Sequence, residues 1–186
     1  MHIIILGSGH IPLTLAEALS KQQHKIVLVD NRADILAEAN KRFDIATVCG
    51  HFSYPDVLKK AGAEEADVIM AVSDNDEMNM VACQVAYSLF SIPKKIAKIS
   101  AAHYLFRHDL FSDENMPIDV FINPQKLIAQ SIEALIPLHH ITQHYTFSKD
   151  KVAVIGCKIH PDHPLINTAI CQQTVLIKKL KVRLIA

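Results

Sequence analysis

Near the start of the chain, six consecutive residues have the types and spacing to cradle a phosphate. Gly7-Ser8-Gly9-His10-Ile11-Pro12 follows the apolar run 2–6 and opens a stretch of helical periodicity. In that setting the first glycine permits a tight turn, and the second lets backbone approach a pyrophosphate at a helix N-terminus. Gly7, Ser8, Gly9, His10 and Ile11 are therefore the expected phosphate contacts. Pro12 stands where a third glycine would allow close helix–strand packing. Proline is tolerated in a first helical turn and leaves the His10 and Ile11 amides intact, but it puts the tightness of that contact in question. Asp30 ends the second apolar run, 21 residues after Gly9, where a carboxylate accepts hydrogen bonds from a ribose diol. Asn31 and Arg32 follow it. Arg32 could meet a 2′-phosphate, but Asp30 would repel the same group. NAD or NADH is thus favoured over NADP, with Arg32 solvated or lying over the adenine face.

A second constellation, Ala71-Val72-Ser73-Asp74-Asn75-Asp76-Glu77, lies at the carboxyl end of the fourth apolar run. Ligands of open α/β sheets sit beyond the strand carboxyl ends, so Val72, Ser73 and Asp74 are candidate contacts. Asp74 also reads as a helix N-cap, with Glu77 three residues on. Gly50 and His51, in a loop after the third run, face the same crevice. The neighbouring Cys49 and His51 are too few for a metal site, which wants four ligands. His160, Asp162 and His163 lack a fourth ligand and a rigid frame, and read as a surface loop. Tyr145 and Lys149 have the Y-x-x-x-K spacing of a nicotinamide-dependent oxidoreductase. That pair works only across one helical turn, and here it falls in a strand-like stretch. Hydride transfer also needs a substrate pocket, and no sizeable substrate domain follows. A dehydrogenase is the alternative reading; the expectation is a binding module and not an enzyme.

The elements that must position these residues follow from patterning. Apolar runs at 2–6, 25–29, 45–48, 66–72, 95–99 and 118–122 have strand length. Between them apolar residues recur at helical spacing: Ile11, Leu15 and Leu19; Leu36, Ala39 and Phe43; Met78, Val81, Ala82, Val85, Ala86 and Leu89. Strands apolar on both faces and separated by helices imply a parallel sheet covered on both sides, hence an α/β, doubly wound, Rossmann-like fold. Asn123 and Pro124 open one more helix, 124–135. Beyond it the pattern changes to two strands, 145–147 and 152–155, around a Lys149-Asp150 turn. The domains expected are 1–137, dinucleotide-binding, and 138–186, a partial small α+β domain ending on the strand-like run 181–186.

Lys+Arg and Asp+Glu balance at 19 each, and no basic stripe stands out, which argues against a nucleic-acid partner. No apolar run approaches the roughly 18–20 residues of a membrane span. Cys49, Cys83, Cys157 and Cys171 show no C-x-x-C pairing, as in a reduced, cytoplasmic compartment.

Several stretches together resemble a known family. Residues 1–137 are similar to the regulator-of-potassium-conductance N-terminal domain. The resemblance is carried by 3–9, by Gly50-His51 with Pro55-Asp56-Val57-Leu58 and Ala61-Gly62-Ala63, by Ala66-Asp67, and most specifically by 71–73 and 76–90. From His139 the chain resembles, more loosely, the start of that family's C-terminal domain, through Pro164-Leu165-Ile166 and Val182-Arg183-Leu184. Tandem members carry two such units, of which this chain matches about half. The resemblance implies a cytoplasmic regulator at the inner face of the plasma membrane, docked on an integral-membrane, Trk-type potassium transporter subunit. It further implies a homo-oligomer, from dimer to tetrameric ring, whose shape responds to NAD(H) or to ATP/ADP at the same site. It places Gly7, Gly9, His10 and Ile11 on the phosphates, Asp30 on the ribose, Val72 and Ser73 on the crevice wall, and Gly50 and His51 opposite. Lys98 stands where relatives often have an arginine near the phosphates; it keeps the charge without the bidentate fork. In ring-forming members the helices at 78–90 and 101–111 make subunit contacts, so Phe106 and Phe111 could form such a face or pack inward. A ligand-blind assembly scaffold of the same fold is the further alternative.

Overall fold

Residue burial explains the sheet at the heart of the molecule. The structure, a computed structural model, describes residues 1–112, 114–135, 141–147, 152–159, 161 and 166. Strand β1 (His2–Leu6) is buried at every position, and β2 (Lys25–Asp30) at all but its first. Such runs persist only where both faces are covered. With β3 (Ala46–Cys49), β4 (Val68–Ala71), β5 (Lys94–Lys98) and β6 (Val120–Ile122) they form one parallel sheet, in the order β3-β2-β1-β4-β5-β6. The doubly wound expectation is met, and the strand order reverses direction between β1 and β4.

Alternation along β1 divides the core into two layers. Ile3 and Ile5 pack with Ala16 of α1 (His10–Ser20) and with Leu36 and Ala39 of α2 (Ala33–Arg42). Ile4 and Leu6 pack on the other face with Leu58 of α3 (Pro55–Lys60) and with Met80, Ala82, Cys83 and Ala86 of α4 (Asp76–Phe90). Pro12 is buried in the first turn of α1, where its missing N–H would have had no intrahelical partner, and the fully buried Ala16 packs in the core with Ile3 and Ile5.

Three features differ from the sequence reading. Helix α3 was not expected: at six residues it is too short to show a period, although Pro55 sits at its first position. Asp74 is not the cap of α4. The helix starts at Asp76, and Asn75 caps it by accepting a 2.7 Å hydrogen bond from the Met78 amide. The stretch 101–111 is not one helix. It holds the single turn α5 (Ala102–Leu105) and a 3-10 turn, His108–Leu110. Phe106 is exposed there, whereas Phe111 turns inward against Phe121, with ring centroids 5.2 Å apart.

By its internal contacts the chain divides into Met1–Lys126 and Leu127–Ala186. Helix α6 (Pro124–Leu135) opens as read, with the Asn123 side chain accepting from the Lys126 amide at 2.8 Å. In the second unit β7 (Ile141–Phe147) and β8 (Val152–Cys157) pair antiparallel, with Tyr145 opposite Val154 and Phe147 opposite Val152. The expected boundary at Pro137, the Lys149-Asp150 turn, His160, Asp162, His163 and the run 181–186 lie outside the described residues.

Candidate functional site

The carboxyl ends of β1, β2 and β4 meet at the point where strand order reverses, and a cleft of about 360 Å³ opens there. Gly7 leaves β1 with φ +101°, in the left-handed region, and its amide donates to the Val29 carbonyl at 2.8 Å. A Cβ on Gly7 would lie 3.0 Å from the Ser73 Cα, so glycine answers both the turn and the close approach of the β4 end. Gly9 is the N-cap of α1 and supplies no capping side chain. The first-turn amides of α1 therefore meet the crevice without a protein acceptor from that position. Between the glycines, the Ser8 hydroxyl is buried and has no hydrogen-bond partner among the described residues.

On the β2 side, Asp30 is buried, and its Oδ1 accepts from the Arg32 amide at 2.9 Å and from Arg32 Nε at 3.2 Å. On the β4 side, one fully buried side chain fixes the wall. Asn79 Oδ1 accepts from the Ser73 amide at 3.1 Å and from Ser73 Oγ at 2.7 Å. Its Nδ2 donates to the Ser73 carbonyl at 3.1 Å and to the Lys98 carbonyl at 2.9 Å. It thereby ties the β4 and β5 ends to α4. Lys98, itself buried, donates from Nζ to Asp74 Oδ1 at 2.6 Å. That hydrogen bond and the lysine charge hold the Asp74 carboxyl below its ordinary range.

Gly7, Ser8, Gly9, Asp30, Asn31, Arg32, Ser73 and Asp74 all line the cleft, as does Phe52, which the sequence reading passed over, together with Asn75 and Met78. The other expected residues stand around it. His10 and Ile11 begin α1 with exposed side chains. Val72 is buried and donates its amide to the Leu6 carbonyl. The Gly50 amide donates to the Asp30 carbonyl at 2.9 Å, tying the β3–α3 loop to the cleft edge. His51 stacks on Tyr54 at 4.5 Å and lies 2.8 Å from Ser53 Oγ, bracing the loop that delivers Phe52. Lys98 reaches the cleft only through Asp74. Tyr145 lies within β7, so it does not sit on a helix with a lysine one turn away. No group of three or more metal-ligating side chains occurs among the described residues.

The cleft brings together the first-turn amides of a helix, a carboxylate and an aromatic ring, groups whose chemistry can take an anion and a polyol. Comparison with known proteins gives it a context. The family model described as the TrkA-N domain matches residues 3–124. A protein of Halomonas elongata named Trk system potassium uptake protein TrkA is 45% identical over 167 residues, covering 90% of this chain and 36% of that protein. Its namesake in Vibrio alginolyticus is 42% identical over 171 residues, covering 91% and 37%. The chain thus spans little more than a third of the length of these curated relatives. Among solved structures, the TrkA-N domain of the inner membrane protein ybaL from Escherichia coli superposes with a TM-score of 0.62 at 16% identity, covering 73% of this chain and 96% of that one. The GsuK channel bound to NAD gives 0.59 at 21%, covering 80% and 25%.

Proposed function

The chain belongs to the TrkA-N domain family, and from that premise we propose that it is a nucleotide-sensing regulatory module of a potassium-uptake transporter. Its effector on this reading is NAD or NADH, with ATP and ADP competing for the same cleft. One observation carries the proposal. The left-handed turn at Gly7, the partnerless Ser8 hydroxyl and the Asp30 carboxylate converge on one cleft at the strand-order reversal. A buried hydroxyl without a partner costs free energy that a bound phosphate oxygen would offset. The first-turn amides of α1 take the pyrophosphate, Asp30 the adenosine ribose, and Phe52 flanks the base. The names of the Halomonas and Vibrio relatives support the potassium-uptake role, and the NAD bound to the GsuK channel supports the choice of ligand.

The module on this reading works from the cytoplasmic face, docked on an integral-membrane Trk-type subunit and assembled with further copies of itself. No helix among the described residues is long and apolar enough to cross a membrane. Exposed Val81 and Leu89 on α4, with Phe106, offer apolar surface for assembly. On this reading residues 1–137 are the sensing domain, and 138–186 belong to a second domain. Ligands act by binding two ring geometries with different affinity; a nucleotide with equal affinity for both changes nothing. The role is that of a sensor, and the ionisable groups of the cleft, Asp30, Arg32 and Asp74, serve recognition.

Thermal unfolding with NAD, NADH, NADP, ATP and ADP, alongside Asp30→Ala, tests the proposal. A ligand at about 100 times its dissociation constant adds about 2.7 kcal/mol, a rise in Tm of roughly 5–10 °C for a chain of this size. The rise should appear with NADH and shrink to about a third in Asp30→Ala. A flat response to all five would favour the ligand-blind scaffold, and turnover of a nicotinamide substrate the oxidoreductase.

A further inference from the structure

Resting on the reading that the cleft holds a nucleotide, we infer that Asp74 is its charge filter: the carboxylate beside the glycine turn admits a dinucleotide's bridging pyrophosphate and disfavours the terminal phosphates of ATP and ADP. The placement is specific. Asp74 Oδ1 holds Lys98 Nζ at 2.6 Å, while Oδ2 lies 3.5 Å from where a Cβ on Gly9 would stand, at the N-terminus of α1. The two partners differ sharply in exposure: the Lys98 side chain is 10% exposed and that of Asp74 89%. The cation is therefore committed behind the wall, and the anion stands on the side from which a ligand enters.

Charge around the cleft is balanced as well. Arg32 is paired with Asp30, and Lys98 with Asp74, so two cations face two carboxylates. A site with no excess positive charge suits a ligand whose phosphates carry few charges. The pyrophosphate bridge of a dinucleotide carries about two, one on each phosphate, whereas ATP carries roughly four because its terminal phosphate is nearly doubly ionised. Each added charge near Asp74 meets repulsion that falls with distance and is weakened by the solvent around an exposed side chain. Preference on this basis comes from a repulsive group set against the wrong ligand, not from extra contacts to the right one.

The test compares the dissociation constants of NADH and of magnesium-free ATP for the wild-type chain, Asp74→Asn and Asp74→Glu at low salt. Asp74→Asn keeps the shape, removes the repulsion and releases the Lys98 charge toward the phosphates. Its affinity for ATP should rise about tenfold, with NADH changing by about twofold or less. The gain should shrink on raising salt from about 0.05 M to 0.5 M, which a purely structural role would not produce. Asp74→Glu should keep the wild-type preference. Equal factors for the two ligands in Asp74→Asn, or weaker ATP binding, would overturn the filter while leaving the cleft as a nucleotide site. Absence of binding by either nucleotide to any of the three proteins would instead overturn the reading beneath it, and the filter with it.

Discussion

The two ends of the parallel sheet use the same residue types for opposite purposes. At the amino ends, carboxylates staple strands. Asp67, just before β4, accepts the His2 amide at 2.7 Å, and Asp119, just before β6, accepts the Lys95 amide at 2.6 Å and lies 3.2 Å from its Nζ. Lys95 Nζ also donates to the carbonyls of Ile92 and Pro93. At the carboxyl ends, Asp74 is mostly exposed though paired with Lys98, Ser8 has a hydroxyl without a partner among the described residues, and the Gly9 cap gives the first turn of α1 no side-chain acceptor. Polar groups committed to one another hold a fold, whereas polar groups left without partners at a cleft are free to meet a ligand. His2 is the amino-end exception. Its ring is buried without a well-formed hydrogen bond and pressed against Gly62, whose left-handed φ of +81° leaves the ring the space a Cβ would take. Burial, reinforced by the Lys25 charge, lowers its pKa.

That contrast can be broken or sharpened by substitution. Asp119→Ala should have the largest effect, about 3 kcal/mol of lost stability in urea unfolding, because it strands the buried Lys95 ammonium. Its NADH affinity should be unchanged. Asp30→Ala should show the reverse: roughly thirtyfold weaker NADH binding, with stability altered by less than about 1 kcal/mol. Equal destabilisation by the two would erase the distinction between the ends. Gly7→Ala belongs to both categories, since it strains a left-handed turn against Ser73. About 1–2 kcal/mol of stability and about tenfold in affinity should be lost together.

The smallest effect is that of pH. The folded pKa of His2 lies below its ordinary value of 6.5, so the unfolded chain binds the extra proton, and stability falls as pH drops below 6.5. The Asp74 and Asp119 carboxyls are also depressed from 3.8. The Lys98 hydrogen bond and charge do this for Asp74; at Asp119 burial pushes upward, but the bonds and charge of Lys95 outweigh it. Their contribution is present above about pH 4 and is lost as pH falls through the folded values. A shallow decline from pH 6.5 that steepens below 4 is therefore expected in chemical unfolding, and His2→Phe should flatten only its upper part.

What was legible in the sequence was what is local. Six apolar runs became the six strands of the sheet, and Gly7, Gly9 and Asp30 declared themselves by their spacing to a strand and a helix. Ser73-Asp74-Asn75-Asp76 offers four consecutive residues able to cap, so only the backbone could choose Asn75 over Asp74. Phe52 enters the cleft from a loop whose path depends on α3 and on the His51–Tyr54 stack, neither of which leaves a periodic trace. The Lys98–Asp74 pair joins residues 24 positions apart across neighbouring strand ends, and Asn79 looked like any polar residue in a helix. Their roles exist only once β4 and β5 lie side by side.

The most direct measurement is amide chemical-shift mapping of the isotopically labelled chain titrated with NADH. Shifts should concentrate at 7–11, 30–32, Phe52 and 73–78, while the amides of His2, Asp67, Lys95 and Asp119 stay still. No shift at saturating NADH, or shifts centred on the amino ends of the strands, would contradict a nucleotide site at the carboxyl-end cleft.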